Sequence, residues 1–123
     1  MNKFILNSTK STPEVIFDPE QNIFRVKGIS TPINAFEFYQ EIVDWINQNA
    51  SAIPEEAVFH FNMPYFNSAT MKAVLILLER IKIGMDEGKK WSIDWFVEDE
   101  DEFMLDAAES FQSILGIEFH ISG

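Results

Sequence analysis

The chain has 123 residues, 46% of them hydrophobic, and its 20 acidic and nine basic side chains give a formal net charge of −11. This length predicts one domain over residues 1–123, which can bury a core without disulfides or metal ions. The acidic balance argues against binding to nucleic acid or to an anionic membrane surface, because Lys and Arg must neutralise phosphates in both cases. The absence of cysteine excludes disulfides, zinc–thiolate sites and cysteine nucleophiles.

No segment resembles a membrane span or a targeting signal. The longest apolar run, Ala73–Leu78, has six residues, whereas a spanning helix needs about 20. The first ten residues are polar and contain no long apolar stretch. Together with the lack of cysteine, this pattern predicts a cytoplasmic protein.

The hydrophobic pattern predicts six strands and three helices, because apolar residues alternate in some segments and recur every three to four positions in others. In chain order we expect strands at 4–6, 15–17 and 22–27, a helix at 34–49, a strand at 57–63, a helix at 68–87, a strand at 91–97, a helix from about 102 to 115, and a strand at 117–121. Strands 15–17 and 22–27 form a hairpin, and the alternation of strand and helix after it predicts an α/β fold with a mixed sheet. The nearly continuous apolar character of 57–63 predicts a strand covered on both faces.

No combination of residues predicts catalysis, a cofactor or a metal site. His60 and His120 lie in separate strand-like segments, and neither has a second histidine at ligand spacing. The sequence has no nucleophile elbow, phosphate-binding loop or dinucleotide motif. The five acidic residues 98–102 read as a solvated loop that precedes a helix. Two alternative interpretations of this segment are a weak divalent-ion site and a contact for a basic partner, although the spacing matches no calcium loop.

The junction between the central strand and the second predicted helix is the most informative segment. Ser68 stands where that helix begins, and the simplest role for its hydroxyl is to cap the helix. A hydroxyl at this place is also well suited to phosphorylation, since the helix dipole and the free N–H groups favour added negative charge. The hydroxyl of Thr70 lies in the same turn and is the alternative acceptor. We expect the flanking residues to form a switch loop, namely Tyr65, Phe66, Asn67 and Ala69.

The second predicted helix is apolar around its whole circumference between Ala73 and Leu78. One side must pack on the sheet, so residues such as Ile76 and Ile83 are left to form an exposed patch near Ser68. We predict that a partner contacts the first half of this helix through Met71, Lys72, Leu75 and Ile76. The alternative is that another element or a second copy of the chain covers the patch.

Short motifs along nearly the whole chain resemble a known family. They are Ser11-Thr12-Pro13, Gly28-x-Ser30-x-Pro32-x-Asn34, Asp44-Trp45, Tyr65-Phe66-Asn67-Ser68, Lys72 and Trp95. The layout resembles the STAS-like fold of anti-sigma factor antagonists, and the motifs are more closely similar to the SiaC family of bacterial regulatory phosphoproteins. The STAS-like resemblance implies one α/β domain, a mixed sheet with an N-terminal hairpin and about three helices packed on it.

The resemblance also implies a function. A dedicated Ser/Thr protein kinase would phosphorylate Ser68, where the family often has Thr, and a PP2C-type phosphatase would remove the phosphate. The unphosphorylated form would bind and activate a diguanylate cyclase that controls biofilm formation or aggregation, and the protein itself would not be an enzyme. Two alternatives stay open on the residues alone. One is a constitutive interaction module or homodimer; the other is a small ligand binder or enzyme that brings Tyr65, His60 and the acidic residues 98–102 together.

Overall fold

The computed structural model describes residues 2–123, so Met1 of the predicted domain lies outside it. Its strands and helices follow one another in the predicted order. They are β1 (Phe4–Leu6), β2 (Glu14–Asp18), β3 (Ile23–Lys27), α1 (Ala35–Asn49), β4 (Glu56–Asn62), α2 (Ser68–Asp86), β5 (Lys90–Phe96), α3 (Glu102–Leu115) and β6 (His120–Ser122), with a short 3₁₀ helix (Ala50–Ala52) between α1 and β4. The predicted last strand was too long, because residues 117–119 precede β6.

The six strands form one sheet in the order β1-β2-β3-β4-β5-β6. The first three strands are antiparallel neighbours, whereas β3, β4, β5 and β6 run parallel to one another. The predicted N-terminal hairpin is β2–β3. Each helix connects two neighbouring parallel strands, which is the arrangement that the alternation of strand and helix predicted.

One face of the sheet is covered and the other is open. Along β4, Ala57, Phe59 and Phe61 are buried, while Val58 and His60 are exposed. The prediction that this strand is covered on both faces was wrong. Successive connections always lead to the next strand on the same side, and right-handed crossovers of that kind place every helix on one face. Among the described elements, no helix packs on the other face.

The helix ends are capped by polar side chains and a glycine. Asn34 Oδ1 accepts the N–H of Glu37 at 3.1 Å, Asn67 Oδ1 accepts that of Thr70 at 3.0 Å, and Asp101 Oδ1 accepts that of Met104 at 3.1 Å. Gly116 ends α3 in the left-handed region, with φ of 70°. The expectation that Ser68 caps α2 was wrong by one residue, since Asn67 takes that role and Ser68 is the first helical residue.

Aromatic side chains fill much of the core between the sheet and the helices. The indole of Trp95 on β5 has four aromatic neighbours with ring centroids 5.5–6.3 Å away, namely Phe61, Phe66, Phe111 and Phe119. Trp95 Nε1 donates to the carbonyl of Met104 at 3.2 Å. Because Phe66 belongs to the segment between β4 and α2, this cluster fixes the position of that segment relative to the sheet.

Gly84 gives a first testable prediction about this packing. It is buried in α2, and a Cβ added there would overlap the indole ring of Trp91 on β5. We expect Gly84→Ala to lower the free energy of unfolding by about 1–3 kcal/mol, although alanine is the better helix former. Denaturant unfolding monitored by tryptophan fluorescence would measure the loss. Gly88→Ala gives a comparison: an added Cβ there meets open space, so any loss of stability would come from backbone strain at φ of 101° and not from packing.

None of the described helices is long and apolar enough to cross a membrane.

Candidate functional site

Three segments meet at the carboxyl-terminal edge of the parallel strands. They are the β3–α1 loop (28–34), the β4–α2 loop (63–67) and the β5–α3 loop (97–101). The N–H of Ser30 joins the first two by donating to the carbonyl of Tyr65 at 3.0 Å, and the N–H of Gly28 donates to the carbonyl of Asn62, the last residue of β4, at 2.9 Å. Open α/β sheets place their functional sites at this edge.

Ser68 lies at this edge as the first residue of α2, and its side chain is exposed. The carbonyl and side chain of Asn67 accept the N–H groups of Met71 and Thr70. The N–H groups of Ser68 and Ala69 precede these, and helix geometry gives such groups no acceptor within the helix. An anion attached to the Ser68 oxygen would therefore lie beside free donors at the positive end of the helix dipole.

Thr70 is in a different environment although it is only two residues away. Its side chain is 0% exposed, and its hydroxyl donates to the carbonyl of Ser30 at 2.9 Å. In the folded protein this hydroxyl is shielded from solvent and used in an internal hydrogen bond. The two hydroxyls that the sequence left as alternatives therefore differ sharply in accessibility.

Exposed aromatic rings border the predicted switch loop. Tyr65 is 52% exposed and lies 6.4 Å, between ring centroids, from Phe103, which is 49% exposed. Phe103 also contacts the buried Phe66 at 5.5 Å. The sequence analysis missed Phe103, because only the tertiary structure brings the first turn of α3 beside the β4–α2 loop. Its one signal was a large apolar residue directly after five acidic ones.

The side of α2 that faces solvent begins at Ser68. Lys72 and Ile76 follow it at four-residue intervals and are both exposed, as is Ile83 further along. Met71 and Leu75 are half-buried and pack against the core. Of the predicted partner-binding residues, Lys72 and Ile76 are thus exposed, although Ile76 only to 38%, and Met71 and Leu75 offer less of their surface.

The acidic segment 98–102 leads into α3 next to the aromatic rim, which is formed by the exposed rings of Tyr65 and Phe103. Glu98, Asp99, Glu100 and Glu102 are exposed, and Asp101 serves as the N-cap of α3. The contact of Phe103 with Tyr65 places this negative charge at the same edge as Ser68. A phosphate on Ser68 would therefore add negative charge to an edge that already carries this acidic segment.

The two histidines lie on the open face of the sheet. His60 Nδ1 is 3.1 Å from Asp94 Oδ2, and His120 Nε2 is 3.8 Å from Asp94 Oδ1. The groove beside His60 is lined from β3, β4 and β5, and neither Tyr65 nor the acidic segment contributes to it. The structure thus does not assemble the cluster on which the enzyme alternative depended. Among residues 2–123, no three His, Asp or Glu side chains are placed to hold a metal ion together.

Beneath the edge, burial raises the pKa of Tyr39 well above its ordinary value, because a phenolate would lose its hydration there; a hydrogen bond with Ser30 opposes this shift in part. The folded state therefore keeps this proton to higher pH than the unfolded chain, whose tyrosine titrates near 10. We expect this difference in pKa to leave the free energy of unfolding unchanged below pH 10. As the pH rises above 10, the free energy of unfolding should fall by up to about 1.4 kcal/mol per pH unit. Unfolding of wild type and Tyr39→Phe between pH 8 and 11 would show the slope only in wild type.

These features define the class of protein: it is a small mixed α/β domain. Its six-stranded sheet carries three helices on one face, and its candidate site is the N-terminus of α2, which is presented among three loops at the carboxyl edge of the sheet. The predicted fold class is confirmed. Residues 6–123 match the model of the SiaC family regulatory phosphoprotein. The chain belongs to this family, as its short motifs predicted.

Solved structures of similar proteins share the fold over the whole length. Apo-SiaC from Pseudomonas aeruginosa superposes with a TM-score of 0.87 at 21% identity, covering 100% of both chains. SiaC from the same organism, in a complex with the diguanylate cyclase SiaD of which it is the activator, superposes with a TM-score of 0.84 at 22% identity, covering 97% of this chain and 98% of that one. An uncharacterized protein of P. aeruginosa (strain UCBPP-PA14) is 22% identical over 121 residues, 98% of this chain and 96% of its own length.

Proposed function

We propose that this protein is a non-enzymatic switch that a Ser/Thr protein kinase phosphorylates on Ser68 and that a PP2C-type phosphatase resets. The unphosphorylated form binds and activates an effector in the cytoplasm, and the effector is a diguanylate cyclase that controls biofilm formation or aggregation. The observation that carries the proposal is the contrast in the first turn of α2, where Ser68 is exposed among three loops and the neighbouring hydroxyl of Thr70 is buried.

Family membership supports phosphoregulation, and the complex of the similar SiaC with the cyclase SiaD supports an effector of that kind. The surface around Ser68 suits protein binding, since Tyr65 and Phe103 expose apolar area at this edge of the sheet and Ile76 does so further along α2. No nucleophile–base pair accompanies these residues, which favours a binding role over catalysis.

Phosphorylation at this place would change the surface without unfolding the helix. A phosphate carries a charge of about −1.5 to −2 at neutral pH, and free N–H groups at the start of a helix accommodate it. An effector surface that fits the neutral Ser68 hydroxyl would then meet a charge for which it has no partner, at the same edge as the acidic segment 98–102. Repulsion and desolvation together would weaken the complex.

Phosphosite mapping by mass spectrometry, on protein isolated from its native cells, tests the proposal. We expect phosphate on Ser68, absent from a Ser68→Ala strain and retained in a Ser51→Ala strain, in which an exposed serine at the opposite edge of the sheet is removed. Phosphate on Thr70 instead would move the switch by two residues and contradict the assignment to Ser68. Unmodified protein under several growth conditions would favour a constitutive interaction module.

A further inference from the structure

Three buried hydroxyl groups lie directly beneath the first turn of α2. Ser30 and Thr70 are 0% exposed and Tyr39 is 1% exposed. The Ser30 and Tyr39 hydroxyl oxygens are 2.6 Å apart, and the Ser30 hydroxyl lies 3.4 Å from that of Thr70. Buried hydroxyls are costly unless they are hydrogen-bonded, and here each finds its partner within the group of three.

Ser30 is the point at which three segments of the chain are tied together. Its N–H donates to the carbonyl of Tyr65 in the β4–α2 loop, and its carbonyl accepts the hydroxyl of Thr70 in α2. Its own hydroxyl bonds to Tyr39 in α1. The motif Gly28-x-Ser30-x-Pro32-x-Asn34 contains this residue, and the proposed function assigns it no role.

We infer that Ser30 and Thr70 couple the state of Ser68 to the β3–α1 loop, so that phosphorylation alters a surface on two loops and not only at the modified residue. This inference rests on the proposed phosphorylation of Ser68. The β3–α1 loop presents apolar side chains to solvent, since Ile29 is 44% exposed and Ile33 is fully exposed. The coupled loop thus carries surface that an effector can read.

The physical route begins at the helix cap. The N–H of Thr70 is held by Asn67 Oδ1 at 3.0 Å. A phosphate on Ser68 is a stronger acceptor than a neutral amide oxygen and competes for the same first-turn N–H groups. As the Thr70 N–H turns from Asn67 toward the phosphate, the Thr70 backbone shifts, and its hydroxyl shifts relative to the carbonyl of Ser30. The shift then reaches Ile29 and the rest of the β3–α1 loop, because Ser30 belongs to the same loop.

The inference is tested with protein that carries phosphoserine at position 68, installed by site-specific incorporation, so that no kinase is needed. We expect phosphorylation to shift the NMR signals of the Ile29 and Ile33 methyl groups in wild type. Thr70→Val keeps the shape of the side chain and removes the hydroxyl, so the shift should fall by about half or more, because the hydrogen bond that carries it is gone. Thr70→Ser restores a hydroxyl and should restore the shift.

Ile42→Val is the matched control, because it removes one methyl group from the buried face of α1 without touching a hydroxyl. It should lower stability and leave the phosphorylation shifts unchanged. Equal shifts in wild type and Thr70→Val would overturn the coupling, as would the absence of any shift at Ile29 and Ile33 in wild type. Neither result depends on whether cells phosphorylate Ser68, so a failure of the proposed function would appear separately, in the phosphosite mapping.

Discussion

A Ser68→Asp variant is expected to bind the diguanylate cyclase of the proposed function about 10- to 100-fold more weakly than wild type. The added carboxylate would stand at an exposed helix N-terminus, in an interface that fits a neutral hydroxyl and beside the acidic segment 98–102. Isothermal titration calorimetry of the two proteins would measure the change. Aspartate carries less charge than a phosphate, so the phosphorylated protein should be affected more strongly.

The fold should tolerate this change. An acidic residue in the first turn of a helix interacts favourably with the dipole, so Ser68→Asp should raise the free energy of unfolding by about 0.3–1 kcal/mol. Ser51→Asp is the matched control, since it introduces the same charge at an exposed position between α1 and β4, at the other edge of the sheet. Undiminished binding by Ser68→Asp, or an equal loss in Ser51→Asp, would contradict a switch at Ser68.

The second large effect is expected at the aromatic rim, where Phe103→Ala should weaken cyclase binding about tenfold or more. Exposed aromatic side chains at the centre of an interface often dominate its energy, and Phe103, in the first turn of α3, contacts Tyr65 and Phe66 of the switch loop. Because the ring is already 49% exposed in the free protein, the cost in stability should be only about 1 kcal/mol. Calorimetric binding and denaturant unfolding of the same variant would separate these two effects.

Ile114→Ala provides the comparison on the same helix. Ile114 is exposed near the carboxyl end of α3, away from the switch loop. Its truncation should leave binding within the experimental error. If both truncations weakened binding equally, the interface would extend along α3 and would not centre on the rim. If Phe103→Ala bound like wild type, the rim would have no part in recognising the effector.

Much of the fold could be read from the sequence, because strand and helix periodicities are local properties. The recurrence of apolar residues at helical spacing located α1, and the alternation around Trp91, Ile93 and Trp95 located β5. The glycine that ends α3 and the proline after β4 supplied boundaries within a residue or two. The order and spacing of short motifs also indicated the family that the comparison of residues 6–123 then confirmed.

Local pattern did not decide which surfaces are covered. The segment 57–63 is nearly continuously apolar, yet Val58 and His60 face solvent, because the direction of the crossovers places every helix on the opposite face. Helical periodicity gives Gly84 no special role, although its lack of a side chain is what lets Trp91 approach α2. Such contacts join residues from different elements, and helical or strand periodicity says nothing about them.

The sequence by itself determined the element order, the family and the turn that carries the candidate hydroxyls. Only the tertiary structure decided that Ser68 faces solvent while Thr70 is bonded to Ser30, and that Phe103 borders the switch loop. The physical reason is that Ser68 and Thr70 lie about 200° apart around the helix axis, so they point to different sides. The group that Thr70 meets is Ser30, which is 40 residues away along the chain. The surroundings of the switch loop depend on α3, which packs Phe103 against Phe66.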